Sequence, residues 1–161
     1  MGVAGSGKSL IGAALARALD VDFIEGDDYH SAENVARMAA GIPLTDDDRL
    51  GWLRAIAKRI RDAKDAGAGL VVACSALKRS YRDLLRNESG APSLQFVLLR
   101  GDRALIAARL AVRRGHFMPP TLLDSQVATL EEPSPDEHAW VCDIKDSPET
   151  ILAGLVVRAS A

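Results

Sequence analysis

Apolar residues along this 161-residue chain follow two alternating rhythms. Three stretches are nearly continuous: Leu70-Val71-Val72-Ala73-Cys74, Leu94-Gln95-Phe96-Val97-Leu98-Leu99 and Trp140-Val141-Cys142-Asp143-Ile144. Such runs predict strands covered on both faces. A shorter run, Val21-Asp22-Phe23-Ile24, predicts another strand, closed by Glu25-Gly26-Asp27-Asp28. Between the runs, apolar positions recur at helical spacing. Leu10, Ile11, Ala14, Leu15 and Leu19 predict a helix over 9–19. Leu50, Leu53, Ile56, Ala57 and Ile60 form the stripe of a helix that opens at Asp46-Asp47-Asp48, where the dipole favours negative charge, and stops at Gly67-Ala68-Gly69. Ser31 is placed to cap a short helix through Met38, ended by Gly41-Ile42-Pro43. Further helices are predicted over about 80–87, 102–114, 120–131 and 147–159, the last with Ser147 as cap and Pro148 at its first position.

Strands alternating with helices imply an α/β fold, a parallel sheet sandwiched between helical layers. Ligands in such sheets bind beyond the carboxyl ends of the strands. Asp27, the segment Ser75-Ala76-Leu77-Lys78-Arg79, and Asp143 all fall at those ends.

Composition narrows the picture modestly. The length suits a single domain spanning 1–161 with a sizeable core. A hydrophobic share of 48% and a charged share of 26% are ordinary for a globular chain. A net charge of −2 lacks the basic excess of a nucleic-acid binder. Cys74 and Cys142 sit apart in apolar runs, which argues against a disulfide framework or zinc site. With neither a membrane-length apolar run nor a signal-peptide pattern, a cytoplasmic location and no membrane partner are the default expectation.

The sharpest signal is Gly2-Val3-Ala4-Gly5-Ser6-Gly7-Lys8-Ser9, a G-x-x-x-x-G-K-S phosphate-binding loop opening the first helix. Its glycines let successive N–H groups turn toward phosphate oxygens. Ala4, Gly5, Ser6, Gly7, Lys8, Ser9 and Leu10 are the candidate nucleotide contacts. Lys8 supplies a point charge for the outer phosphates, and the Ser9 hydroxyl suits Mg²⁺, which makes ATP and Mg²⁺ the expected cofactors. Asp27 is the candidate to orient an acceptor hydroxyl and take its proton, although Asp-Asp after a strand is also plain turn chemistry. His30 is a candidate substrate donor. Arg49, Lys78 and Arg79 are candidates for an anionic group, with ordinary surface salt bridging as the competing reading. Arg109 and Arg113 share a helix face, and Arg114-Gly115-His116-Phe117-Met118-Pro119-Pro120 follows. Arginines on such a segment can close over a nucleotide and stabilise the transferring phosphoryl group.

Taken together these pieces resemble the bacterial-type gluconokinases, small P-loop kinases that phosphorylate D-gluconate on its terminal hydroxyl. The resemblance runs through the phosphate loop, Gly26-Asp27-Asp28-Tyr29-His30, Asn34, Met38, Gly41, Pro43-Leu44, Asp46-Asp47-Asp48-Arg49 and Trp52-Leu53. It continues through Ala73-Cys74-Ser75-Ala76-Leu77-Lys78-Arg79, Tyr81-Arg82-Asp83, Gly115-His116-Phe117-Met118, Leu123, Ser125-Gln126 and Leu130-Glu131 to Pro133. The Ala-Cys-Ser-Ala-Leu-Lys-Arg and Gly-His-Phe-Met pieces separate the chain from shikimate and adenylate kinases. The resemblance implies a P-loop NTPase-type three-layer sandwich of five parallel strands, with a helical lid at about 109–120. It also implies a gluconate pocket of Arg49, Lys78, Arg79, His116 and Gln126 facing Asp27, lid arginines Arg109, Arg113 and Arg114 at the transition state, and a homodimer as one assembly. Adenine contacts are expected from the loop after Ile144.

Two departures stand out. Leu10 replaces the Thr usual after the loop serine, which predicts modestly weaker nucleotide binding. Only Met1 precedes Gly2, so the first strand is missing, and a slot with unpaired backbone is expected between the strands at 70–74 and 94–99. The natural protein is expected to carry about six to ten further apolar residues upstream that fill it. Two alternatives therefore stand beside gluconate phosphorylation: a kinase for another small sugar acid, and a nucleotide-binding protein inactive through loss of that strand.

Overall fold

A computed structural model describes residues 1–112 and 120–160, with the side chains of Pro120 and Thr121 left aside. Four strands form: β1 (Asp22–Glu25), β2 (Leu70–Ala73), β3 (Val97–Arg100) and β4 (Trp140–Asp143). Seven helices accompany them among the described residues: α1 (Lys8–Leu19), α2 (Ala32–Ala39), α3 (Asp46–Asp65), α4 (Arg79–Ser89), α5 (Arg103–Val112), α6 (Pro120–Thr129) and α7 (Pro148–Ala159). Both strand pairs are parallel, β1 with β2 from Asp22↔Leu70 to Glu25↔Ala73, and β3 with β4 from Val97↔Trp140 to Arg100↔Asp143.

The expected five-stranded sheet is instead two parallel ribbons, joined at one level by the first two residues. The Met1 amino nitrogen donates to Val97 O at 2.5 Å, and Leu99 N donates to Met1 O at 2.9 Å. On the other side Gly2 N donates to Ser75 O at 3.1 Å, which gives the order β1-β2-(Met1-Gly2)-β3-β4. Below that level a cavity of about 440 Å³ separates the ribbons, lined by Leu70, Val72, Phe96, Val97, Leu15 and Leu155 among others. The same gap shortens β3. The apolar run from Leu94 predicts a strand, but β3 starts only at Val97, the level at which Met1 supplies a neighbour.

Helices pack on both faces. Ile11 and Leu15 of α1 meet Leu99, Ile106, Leu123, Ile151 and Leu155 in one core. Trp52, Leu53, Ile56 and Ile60 of α3 meet Cys74, Tyr81, Leu85 and Phe96 in the other. Ile56 is wholly buried. Truncating such a residue to alanine costs about 2–5 kcal/mol. The apolar stripe read from α3 is its buried face, apart from Leu50, which is half-buried. Among the described residues, no helix is long and apolar enough to cross a membrane.

One ionic cluster ties the two halves of the chain. Arg82 of α4 is fully buried and pairs with Glu137, its Nε 2.5 Å from one carboxylate oxygen and its NH2 nitrogen 2.8 Å from the other. The same guanidinium donates to the carbonyls of Ala76, Leu77 and Glu131. It thereby clamps the segment after β2 against residues 131–137. This hydrogen bonding holds the Glu137 carboxyl down at about 2.

Candidate active site

The phosphate loop turns where glycine permits it. Gly7 caps α1 with φ 96°, a conformation other residues rarely adopt. No side chain caps that end, so the first-turn amides of α1 are left to a ligand or solvent. Lys8 Nζ reaches back across the loop to Val3 O at 3.0 Å. Ser9 and Leu10 are exposed on the first turn, Leu10 at 62%. Ser6 is buried, and Gln126 of α6 reaches the loop by accepting the Ala4 N–H at 2.7 Å.

Just past the end of β1 stands Gly26, where a Cβ would lie 2.6 Å from Ala73 O; only glycine lets the chain pass the end of β2 so closely. The short 3-10 turn Gly26–Tyr29 follows and presents Asp27, exposed. Trp52 of α3 fixes this turn by donating its Nε1–H to Gly26 O at 2.7 Å. Its indole also stacks on His30, with centroids 4.4 Å apart and planes 13° from parallel. Burial lowers the His30 pKa, opposed by the nearby Asp27 charge. Cys74, at the end of β2, senses both sides of the site. Burial pushes its thiol up to about 11, with Asp27 raising it further and Lys8 lowering it.

The candidate cations lie on the α3 and α4 side. Arg49 NH1 donates to Leu44 O at 2.5 Å and to the Tyr81 hydroxyl at 3.4 Å. Lys78 Nζ lies 2.8 Å from both oxygens of Asp46. Tyr81 joins the group, because both cations stand over its ring and its hydroxyl donates to Asp46. Hydrogen bonds from Lys78 and then Tyr81 hold the Asp46 carboxyl below the usual range.

Other candidates are engaged elsewhere. The Arg79 guanidinium is committed to Asp136 at 2.6 Å and to Ser134 at 3.0 Å. Arg109 donates to Ile144 O at 2.7 Å, which places it against the loop after β4. Arg113, Arg114 and His116, and most of the expected lid, lie outside the described residues. Asp46, Tyr81, Trp52 and Arg82 were legible in sequence only as pieces of a pattern. Their partners are 26 to 55 residues distant, and no local spacing announces them.

A phosphate loop opening the first helix of a parallel α/β fold, with an acidic turn after β1 and a cluster of cations after β2, defines a P-loop kinase of small molecules. The family model for shikimate kinase matches residues 4–150. The thermosensitive gluconokinase of Escherichia coli K12 is 49% identical over 143 residues, covering 86% of this chain and 73% of that protein. The gluconokinase of Gluconobacter oxydans is 43% identical over 156 residues, covering 97% and 86%. A gluconokinase structure from Sinorhizobium meliloti superposes with a TM-score of 0.88 at 46% identity, covering 98% of this chain and 87% of that one. A sugar kinase from Janibacter gives 0.92 at 46% identity, covering 98% and 90%. Within the broad shikimate-kinase family, the chain belongs to the gluconokinases.

Proposed function

We propose that the chain phosphorylates D-gluconate, transferring the γ-phosphoryl group of ATP to the terminal hydroxyl and yielding 6-phosphogluconate. The observation that carries this reading is the meeting, at one end of the sheet, of a phosphate loop and a pocket with two cations, Arg49 and Lys78. A sugar acid needs that pairing: phosphate recognition on one side, carboxylate recognition on the other.

The loop amides and Lys8 bind the phosphates, aided by the uncapped end of α1. That end, with the exposed Ser9 hydroxyl on its first turn, fits a magnesium nucleotide; Ser9 would hold the ion, which when bound neutralises phosphate charge. Asp27 orients the terminal hydroxyl and takes its proton as the oxygen attacks the γ-phosphorus in line and ADP leaves. Trp52 keeps the Asp27 turn and His30 in place through its two contacts. Arg49 and Lys78 receive the carboxylate and His30 the hydroxyls; Arg79, Gln126 and His116 are further proposed substrate contacts, of which Arg79 would have to leave Asp136 and Ser134 to take part. Arg109, Arg113 and Arg114 are the proposed source of positive charge for the transferring phosphoryl group, and exclusion of water there would limit wasteful hydrolysis.

ADP release with Mg²⁺ and ATP, measured with gluconate, other sugar acids, shikimate and no acceptor, tests the proposal. Gluconate-dependent turnover is the expected result. Preference for shikimate or another acid would reassign the pocket, and bound ATP without transfer to any acceptor would leave a nucleotide-binding protein.

A further inference from the structure

The two cations of the acceptor pocket already hold a carboxylate, and it belongs to the chain itself. Both oxygens of Asp46 lie 2.8 Å from Lys78 Nζ, the Tyr81 hydroxyl donates to Oδ1, and the Arg49 guanidinium stands 4.0 Å away. The helix does not need Asp46 for its start. Thr45 and Asp48 satisfy that end reciprocally, as Thr45 Oγ1 accepts the Asp48 N–H and the Asp48 carboxylate accepts the Thr45 N–H. Asp48 also pairs with Arg37. The Asp46 side chain is 59% exposed, so solvent and small solutes reach the contact. Lys78 comes from the segment after β2 and Asp46 from the first turn of α3, so this pairing joins two separate elements.

We propose that Asp46 is a built-in competitor for the substrate's carboxylate. It holds Lys78 and Arg49 in the ligand-free pocket, and an acid substrate binds by taking Lys78 from it. This rests on the reading that those cations receive the sugar acid. The exchange swaps one carboxylate for another and leaves the charge around Lys78 unchanged. A neutral polyol has nothing to offer Lys78 in place of Asp46 and gains nothing there. Asp46 thus sets both the affinity for acids and the rejection of their uncharged analogues.

The test is steady-state kinetics of the full chain with gluconate, comparing wild type, Asp46→Asn and Asp46→Ser. Removing the competitor is expected to lower KM for gluconate about three- to fivefold with kcat unchanged, the scale set by an exposed ion pair. In a Lys78→Met background the same substitutions are expected to leave KM unmoved, an outcome that general loss of structure would not give. An unchanged or raised KM in the Asp46 variants, with wild-type turnover intact, overturns the proposal and makes Asp46 a holder of Lys78. Absence of gluconate turnover in the wild type would overturn the underlying reading as well.

Discussion

Gln126 accepts the backbone N–H of Ala4 at 2.7 Å, so α6 is fastened directly to the phosphate loop. The contact joins residues 122 positions apart and ties α6 to the G-x-x-x-x-G-K-S loop. Replacing Gln126 by leucine leaves the Ala4 donor unpaired at a half-buried position, a loss of about 1–3 kcal/mol. Gln126→Glu keeps an acceptor but brings negative charge to the loop. The leucine variant is expected to melt earlier. The glutamate variant should keep its melting temperature and raise KM for ATP; thermal unfolding and ATP titration separate the two.

Asp27 is held by its neighbours' backbone rather than by its own side chain. The turn is positioned by Gly26 and Trp52, so Asp27→Ala is expected to abolish gluconate-dependent turnover while ATP binding persists. Lost ATP binding would instead assign Asp27 to nucleotide or metal. Trp52→Phe keeps a ring against His30 but removes the bond to Gly26 O. It should lower kcat more than it changes nucleotide affinity, as measured by single-turnover transfer.

The buried Arg82–Glu137 pair predicts acid sensitivity. The Glu137 carboxyl lies near 2 in the folded chain against an ordinary 4.5. A carboxyl depressed by folding contributes stability above its unfolded value, and that contribution is lost as pH falls from about 4.5 to about 2. The shift corresponds to on the order of 3 kcal/mol. Glu137→Gln should flatten that part of the stability curve. It should also cost about 3–5 kcal/mol at neutral pH, because Arg82 is left buried without its counter-ion. Urea unfolding at several pH values reads both effects.

Much of this protein was legible without coordinates, because periodicity and punctuation are local properties. The strands β2 and β4 showed in continuous apolar runs, α3 in its stripe, and the loop in its glycines and lysine; the full two-sided cover expected of those runs is not met, since Val141 of β4 is exposed and Leu70, Val71 and Val72 of β2 are half-buried. The position of Asp27 at a strand end followed from the same pattern. What tertiary structure alone decided is which distant groups meet. Trp52 reaching Gly26, Gln126 reaching Ala4, Asp46 holding Lys78 and Arg82 gripping Glu137 depend on how helices dock on the sheet, and no spacing along the chain encodes them. The shortened β3 has the same cause: strand propensity belongs to Leu94-Gln95-Phe96, but a strand exists only where a neighbour's backbone lies beside it.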